Sequence, residues 1–513
     1  MGRINTNVQS LIAQRVLSQN SLSLNTSLER LSTGLKINRG KDDPAGLIAS
    51  QNLEAGQKGL NQAIGNAQRT DQVANIAEGG LQEVSGLLTE LQGLLTASAS
   101  KAGLSKEEKD ANQLQIDSIL QTIDRVASAT NFQGIKLLNG NFDFKTSGVA
   151  AGVADFKVNG AKFSGASLNV DVQVTTSAQQ AGVFLSAGGA NIDLNTNSSL
   201  VFEVTGSKGS RELTFSSGTS IATIASTINS FSDVTGVKAT TSGTGVKLFS
   251  KDFGTDEFVT VKVINDAGIN LTTNGDSATP ARGVYNLNSA DFNTANTTIN
   301  QTFTNATNGI TDKGQNIAAT INGIAATTHG KTARINTDFL DVEVSLDTTT
   351  SQTLGGVGGT SGAFTITGGG ADFMLAGNVD ISGRVSLGVQ DVAARKLGNS
   401  DLGFLSSLAA GQVNNIVDGN VDEAQKVISE SIKQVSGLRG RLGAFQKNTV
   451  GATIRSLNVQ VENTAAAESV IRDADFAAET AQLTRSQILV SASTNVLGLA
   501  NSQPQSVLQL LRG

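Results

Sequence analysis

Chemistry at neutral pH needs side chains that titrate or attack there, and this sequence supplies few of them: one histidine, His329, and no cysteine in 513 residues. Without a cysteine there is no thiol nucleophile, no disulfide and no thiolate metal site. A Ser-His-Asp arrangement would have to use His329, which lies in the turn-like stretch TTHGK, and a zinc-protease motif needs two histidines on one helix. The adjacent carboxylates of Asp42 and Asp43 could exchange protons. They stand directly before Pro44, however, at a helix start where carboxylate oxygens cap free backbone N–H groups and proline fits the first turn. The glycine-rich stretch LGGVGGTSGAF, residues 354–364, lacks the GK[ST] ending of a phosphate loop and the spacing of a dinucleotide loop. No residue set therefore predicts catalysis, a cofactor or a metal, and the expectation is a protein that is not an enzyme.

The elements that would position functional residues fall into three regions. Near the start, Leu17, Leu24 and Leu31 are seven apart, and Leu24, Leu28, Leu31 and Leu35 step by four, three and four, which predicts a narrow leucine seam on a helix. Asn38, Arg39 and Gly40 end it, and Asp43-Pro44 opens a second helix. That helix carries a stripe at Leu81, Val84, Leu88, Leu91 and Leu95; after a charged break at KEEKD, a third stripe runs through Ile116, Leu120, Ile123 and Ala127. The other end mirrors this, with Ile428, Ile432, Val435, Leu438, Leu442 and Phe445, then Ile454, Leu457 and Val461. Its last helix repeats Phe476, Leu483, Val490 and Leu497 at intervals of seven.

Between these helical ends the apolar period changes to two. Leu168 to Val174, Leu200 to Val204, Val259 to Val263 and Leu340 to Leu346 alternate as half-buried strands do. Asn159-Gly160 and Asn322-Gly323 are two-residue hairpin signals. Ile221, Ile224, Ile228 and Phe231 share one helical face, which predicts a strand–helix–strand unit. The fold class is α + β and multidomain: long paired terminal helices and a helical-bundle core, with an inserted β-rich outer domain. The expected boundaries are a coiled-coil helix at 1–44, a helical core at 45–140, the β-rich domain at 141–405, a second helical core at 406–470 and a last coiled-coil helix at 471–513.

A net charge of -6, with no lysine and arginine cluster, disfavours nucleic acid. The first twenty residues hold no apolar run of signal-peptide length, and no segment approaches the roughly 20 apolar residues of a membrane span. The expected partners exclude both nucleic acid and membrane insertion. Seams on helices rich in Asn, Gln, Ser and Thr cannot bury themselves alone, so the two ends are expected to pair with each other and with neighbouring copies. Unlike surfaces joined head to tail without closing a ring make an open helical polymer.

Two long stretches carry a family resemblance. INTNVQSLIAQRVLSQNSLSLNTSLERLSTGLKINRGKDDPAGLIASQNL resembles the amino-terminal signature of bacterial flagellins, and RDADFAAETAQLTRSQILV with ANSQPQSVLQLLRG resembles their carboxy-terminal one. IDRVASATNFQGIKLLNG resembles the close of the amino-terminal core, and the stretch from FEVTGSKGS to TINSF resembles a small insertion motif of flagellin and hook-associated outer domains. The resemblance covers roughly 1–140 and 406–513. It implies a structural subunit of the swimming filament, with terminal helices forming a coiled coil around a narrow channel and a β domain facing solvent. The alternative within the superfamily is a hook-filament junction protein. Also implied are secretion to the extracellular flagellum by the flagellar type III export apparatus, an export chaperone on the carboxy-terminal helix, and contact with the filament cap and hook-associated proteins.

The residues expected at the assembly interface are Leu24, Leu28, Arg30, Leu31, Gly34, Leu35, Asp42, Asp43, Ala45 and Gly46 at one end. At the other they are Arg472, Asp473, Asp475, Phe476, Leu483, Val490, Leu497 and Leu511. Their expected roles are seam packing, helix capping and ion pairs between subunits. One departure stands out. Flagellins detected by the animal innate-immune receptor usually carry a basic run in the second long helix, where this sequence has Glu90, Gln92, Gly93 and Leu94. A reversed charge at a complementary contact is costly, so weak receptor activation is expected.

Overall fold

The computed structural model describes residues 6–100, 103–194, 198–266, 282–287, 295–301, 303, 306–359, 362–400 and 402–510, with the side chains of 286, 287, 295–301 and 504–510 left aside. Its helices are α1 (Val8–Thr33), α2 (Pro44–Ser98), α3 (Lys106–Ala129), α4 (Ile221–Ser230), the short α5 (Ser232–Thr235) and α6 (Thr348–Gln352), α7 (Val421–Ala444), α8 (Gly451–Arg472) and α9 (Phe476–Leu510). The chain forms two compact units. One holds residues 1–75, 373–385 and 441–513; the other holds 76–372 and 386–440.

The first unit is helical. Asn7 caps α1 through a bond from the Ser10 N–H, and Gly34, at φ 72°, ends it in the left-handed region where a residue without Cβ is favoured. Asp43 opens α2 as expected, its Oδ1 accepting the Gly46 N–H at 2.9 Å. One turn of wider, π-type helix at Phe445–Val450 leads into α8, a feature with no signature in the sequence. Residues 373–385, expected within the β-rich domain, pack with this helical unit instead. Gly59 and Gly377 allow this, because a Cβ on Gly59 would stand 2.6 Å from the Gly377 carbonyl oxygen.

The second unit contains a helical part and a β part. Leu81, Val84, Leu88, Leu91 and Leu95 of α2, and Ile116, Leu120, Ile123 and Ala127 of α3, are all buried, as the stripes predicted. The expected break at KEEKD is wrong in detail. Those residues form the first turn of α3, where Ser105 and Glu108 make a reciprocal capping box and acidic side chains suit the helix dipole. Residues 406–420, expected to be helical, are mostly irregular and are held by Gln113, which donates to the Leu408 carbonyl and accepts the Ile416 N–H. Glu78 of α2 and Arg439 of α7 form an ion pair at 2.8 Å.

The β part has two separate cores. In one, a five-stranded sheet (including 182–186, 237–242 and 245–250) and a four-stranded sheet (including 199–206, 209–216 and 258–265) enclose Phe202, Val204, Leu248 and Val261, with Ile224 and Ile228 of α4 against them. The strand–helix–strand expectation is met there. In the other core, strands 153–161, 332–336 and 340–346 and their neighbours bury Val158, Val342, Val344 and Phe364. Asn322-Gly323 makes the expected hairpin, with φ 50° and 79°. Asn159-Gly160 does not turn: both residues lie inside the continuous strand Val153–Ala161. Asn159 is buried and donates to Asp341 on the neighbouring strand at 3.2 Å, so its amide serves the sheet rather than a turn.

Candidate assembly interface

The terminal helices run antiparallel in one register, tied along their length by side chains. Asn7 Nδ2 donates to the Ala500 carbonyl at 2.7 Å, Ser10 Oγ to Asn501 Oδ1 at 2.6 Å, and Asn20 Nδ2 to Ser493 Oγ at 2.8 Å. Arg30 meets Glu479 at 3.7 Å. At the base the backbones join directly: Lys36 N–H donates to the Arg472 carbonyl at 2.7 Å and Ala474 N–H to the Gly34 carbonyl at 2.9 Å, bracketing a bridge between Leu35 and Asp473.

A series of buried and half-buried positions steps by three and four along each helix, as in a coiled coil. On α1 they are Ser10, Ala13, Leu17, Asn20, Leu24, Ser27 and Leu31; on α9 they are Glu479, Leu483, Ser486, Val490, Ser493, Leu497 and Ala500. Both series mix leucines with small side chains. Ser27, Ser486 and Ala500 are 2%, 1% and 8% exposed, whereas the leucines are only half-buried. Small side chains let two helices approach closely and are covered completely, while leucines beside them keep one flank in water.

Leu24, Leu31, Leu483, Val490 and Leu497 therefore sit where the heptads place them, half-buried at this pairing, whereas Leu35, expected on the same helical stripe, lies beyond the end of α1 at Thr33 and is half-buried in the bridge to Asp473. Leu28 does not: it is 47% exposed, because Ser27 takes the inward position that the leucine spacing assigned to it. Phe476 is 68% exposed on the first turn of α9, outside the seam that begins at Glu479. Leu511 lies outside the described residues. Small and polar inward residues were illegible to an apolar count, although the heptad frame of Leu483, Val490 and Leu497 contained the signal.

The connections after α1 and before α9 are held by carboxylates. Asp42 Oδ2 accepts the Arg39 N–H at 2.9 Å and the Asn38 N–H at 3.2 Å. The Arg39 amide first, and then the Asn38 amide, hold its carboxyl below the usual carboxylate range. Gly46 leaves room for this cap, since a Cβ there would stand 2.5 Å from Asp43 Oδ2 and 2.7 Å from Ile37 Cδ1 and both side-chain ends would have to shift. Ala45 is exposed beside it. Asp475 Oδ1 caps α9 by accepting the Ala477 and Ala478 N–H groups at 2.9 and 3.1 Å. Asp473 accepts the Ser469 hydroxyl at 2.6 Å, and Arg472 reaches Glu54 at 3.4 Å and Glu468 at 3.5 Å. The Nε atoms of Arg30 and Arg472 are buried without a hydrogen-bond partner among the described residues.

His329 ends a strand, with its side chain 80% exposed and 3.1 Å from Asp256. Among the described residues no group of three or more His, Asp or Glu side chains could hold a metal, and no helix is long and apolar enough to cross a membrane.

A family model for the bacterial flagellin N-terminal helical region matches residues 4–143, and one for the C-terminal helical region matches 425–511. Over 525 aligned residues the chain is 30% identical to a flagellin of Salmonella typhimurium (strain LT2), covering 99% of each. The chain belongs to the bacterial flagellin family. A flagellin hook IN motif matches 199–252, the segment built around α4. Flagellin E of Vibrio cholerae is 28% identical over 509 residues, again across 99% of both chains. Among solved structures, the D1-D2-D3 domains of the flagellar cap protein FliD from Escherichia coli match 76% of this chain and 96% of that one, at 14% identity and a TM-score of 0.28. FliC from Burkholderia pseudomallei matches 24% of this chain and 48% of that one, at 21% identity and a TM-score of 0.15. A flagellin is a structural subunit of the flagellar filament, and the helical ends described above are the regions the family models cover.

Proposed function

We propose that this flagellin polymerises through the α1–α9 hairpin, each copy burying the outer faces of its terminal helices against others. The observation that carries this is the distribution of apolar residues. Beyond the inward seam, α1 exposes Val8, Leu11, Ile12, Val16, Leu22 and Leu28, and α9 exposes Ile488, Leu489, Val496 and Leu499. A helix with apolar residues on all sides is buried in its working state. Leu28 and Phe476 then act between copies rather than within one. Leu24, Leu31, Leu35, Leu483, Val490 and Leu497 hold the hairpin, and Gly34, Asp42, Asp43, Ala45, Gly46, Asp473 and Asp475 shape its connections. Arg30 and Arg472, each 29% exposed at the side chain, keep part of their guanidinium groups on the surface that would meet a neighbouring copy. Leu511 belongs to the same proposal through its family signature.

The wider proposal follows from family membership. The subunit is non-enzymatic and is secreted to the extracellular filament through the flagellar export apparatus. An export chaperone shields α9 beforehand, and the filament cap and hook-associated proteins meet it afterwards. Electron microscopy of the intact protein and of a version lacking residues 1–40 and 474–513, before and after a polymerising salt, tests the core claim. Long filaments from the intact chain alone support it; filaments from the trimmed chain would refute it. Intact protein that stays monomeric would favour the hook-filament junction reading.

The receptor expectation also stands as a proposal. Glu90 and Gly93 are exposed on α2, while Gln92 and Leu94 are half-buried, so an acidic side chain occupies the outer face. Reporter cells carrying the receptor should respond weakly, and a response at ordinary flagellin doses would sink the idea.

A further inference from the structure

Within the second unit, residues from the segments 143–158, 390–404 and 434–438 enclose a cleft of about 360 Å³, within the size range of small-molecule sites. The strand Val153–Ala161 supplies part of its lining, and α7 supplies the buried Val435 and Leu438. Hydrogen bonds pin the segments around it. The Gly388 N–H donates to the Asn159 carbonyl and the Val389 N–H to the Phe142 carbonyl, both at 2.8 Å. Gln434 of α7 holds Gly398 twice, donating to its carbonyl at 2.8 Å and accepting its N–H at 3.0 Å. A cleft fixed in this way loses little entropy when something binds.

Its lining is partly aromatic and partly charged. Phe144 is buried and Phe156 stacks on Phe364 at 4.6 Å, so core packing accounts for both. It does not account for Phe404, which lines the cleft yet is 38% exposed. Two of the three carboxylates are engaged: Asp143 accepts the Phe144 N–H at 2.8 Å, and Asp391 holds Arg395 at 2.7 Å. Asp155 is different. It is half-buried, its Oδ1 accepts only the adjacent Phe156 N–H at 2.9 Å, and among the described residues no cation pairs with it. Burial pushes its pKa up; Lys157 and the Phe156 amide oppose this, while Glu343 and Glu430 add to it. A cation placed beside Asp155 would relieve that cost. Lys157 and Lys396 line the same cleft, and neither makes an ion pair among the described residues.

We propose that this cleft binds a small zwitterion with an apolar side chain, a free apolar α-amino acid, with its ammonium on Asp155, its carboxylate on Lys157 and Lys396, and its side chain against Phe404. The mixed charge decides the class of ligand. A simple organic cation would satisfy Asp155 and meet two lysines, and a simple anion would satisfy the lysines and meet Asp155, whereas a zwitterion complements both. The aromatic edge at Phe404 gives the side chain an apolar surface to cover. The inference does not depend on polymerisation, because every residue it uses lies in the second unit.

Titration calorimetry of the full-length protein at neutral pH, with three probes of one shape, tests this. L-Phenylalanine carries both charges, phenethylamine only the ammonium and 3-phenylpropionate only the carboxylate. The expected result is binding of L-phenylalanine about tenfold or more tighter than either single-charge probe, the factor that a charge-assisted hydrogen bond supplies. Asp155→Asn should weaken L-phenylalanine about tenfold and leave 3-phenylpropionate unchanged. The double variant Lys157→Gln/Lys396→Gln should weaken L-phenylalanine likewise and leave phenethylamine unchanged. Asp155→Asn removes a costly charge, so it should melt no lower than the parent, and lost binding then reports the site rather than the fold. No binding of L-phenylalanine by the parent at about 10 mM overturns the proposal, as does equal binding of the three probes. Binding of L-phenylalanine that Asp155→Asn leaves unchanged overturns it too.

Discussion

At the scale of single residues, the connection between α1 and α2 depends on two carboxylates with separate tasks. Asp43 caps α2, and Asp43→Ala should cost about 1 kcal/mol of local stability, seen as faster amide exchange at Gly46 and Leu47. Gly46→Ala should give the same exchange signature, because its new methyl displaces that cap. Asp42 has a depressed folded-state pKa, so the stability it contributes is fully present above the ordinary carboxylate value of 3.8 and is lost as pH falls through the lower folded value. Acidification below that value should loosen residues 38–42 in amide exchange, and Asp42→Asn should remove the acid step. Asp155 has the opposite sign. Burial raises its pKa, so ionisation costs stability as pH rises through the folded value, and Asp155→Asn should raise the neutral-pH melting temperature of the β part.

At the scale of elements, the α1–α9 hairpin separates inward residues from outward ones. Ser27→Leu overfills a position only 2% exposed and should cost about 1–3 kcal/mol, lowering helix content by circular dichroism along with assembly. Leu28→Ser, one residue on, should leave the hairpin paired and impair only polymerisation. Equal effects of the two substitutions on the monomer would contradict this division. Arg30 and Glu479 are 29% and 14% exposed, and a double-mutant cycle on them should give a coupling of no more than about 1 kcal/mol.

At the scale of the molecule, the cores of the β part are built without the terminal helices. The β part owns two cores of buried valine, isoleucine, leucine and phenylalanine, and these include no residue of α1 or α9. Removing residues 1–40 and 474–513 should therefore abolish filaments while the near-ultraviolet and calorimetric melting of the β part persists. A loss of that transition on trimming would show that the β cores depend on the terminal helices.

Much of this was legible from local pattern. Heptads of leucine on polar helices announced the terminal pairing, period-two valines announced the strands, and Asp43-Pro44 announced a helix start, because each signal is carried by neighbours a few residues apart. The single histidine and the absence of cysteine likewise limit the chemistry open to the chain. What tertiary structure decided were the contacts between distant segments. Ser27 rather than Leu28 faces α9 because two helices that approach closely favour small side chains, a preference set by a partner about 450 residues away. Asn159-Gly160 stays in a strand because Asp341 receives its amide, and residues 373–385 join the helices because two glycines, Gly59 and Gly377, let their backbones touch. None of these outcomes is encoded within a window of sequence, since each depends on space left or filled by residues far along the chain.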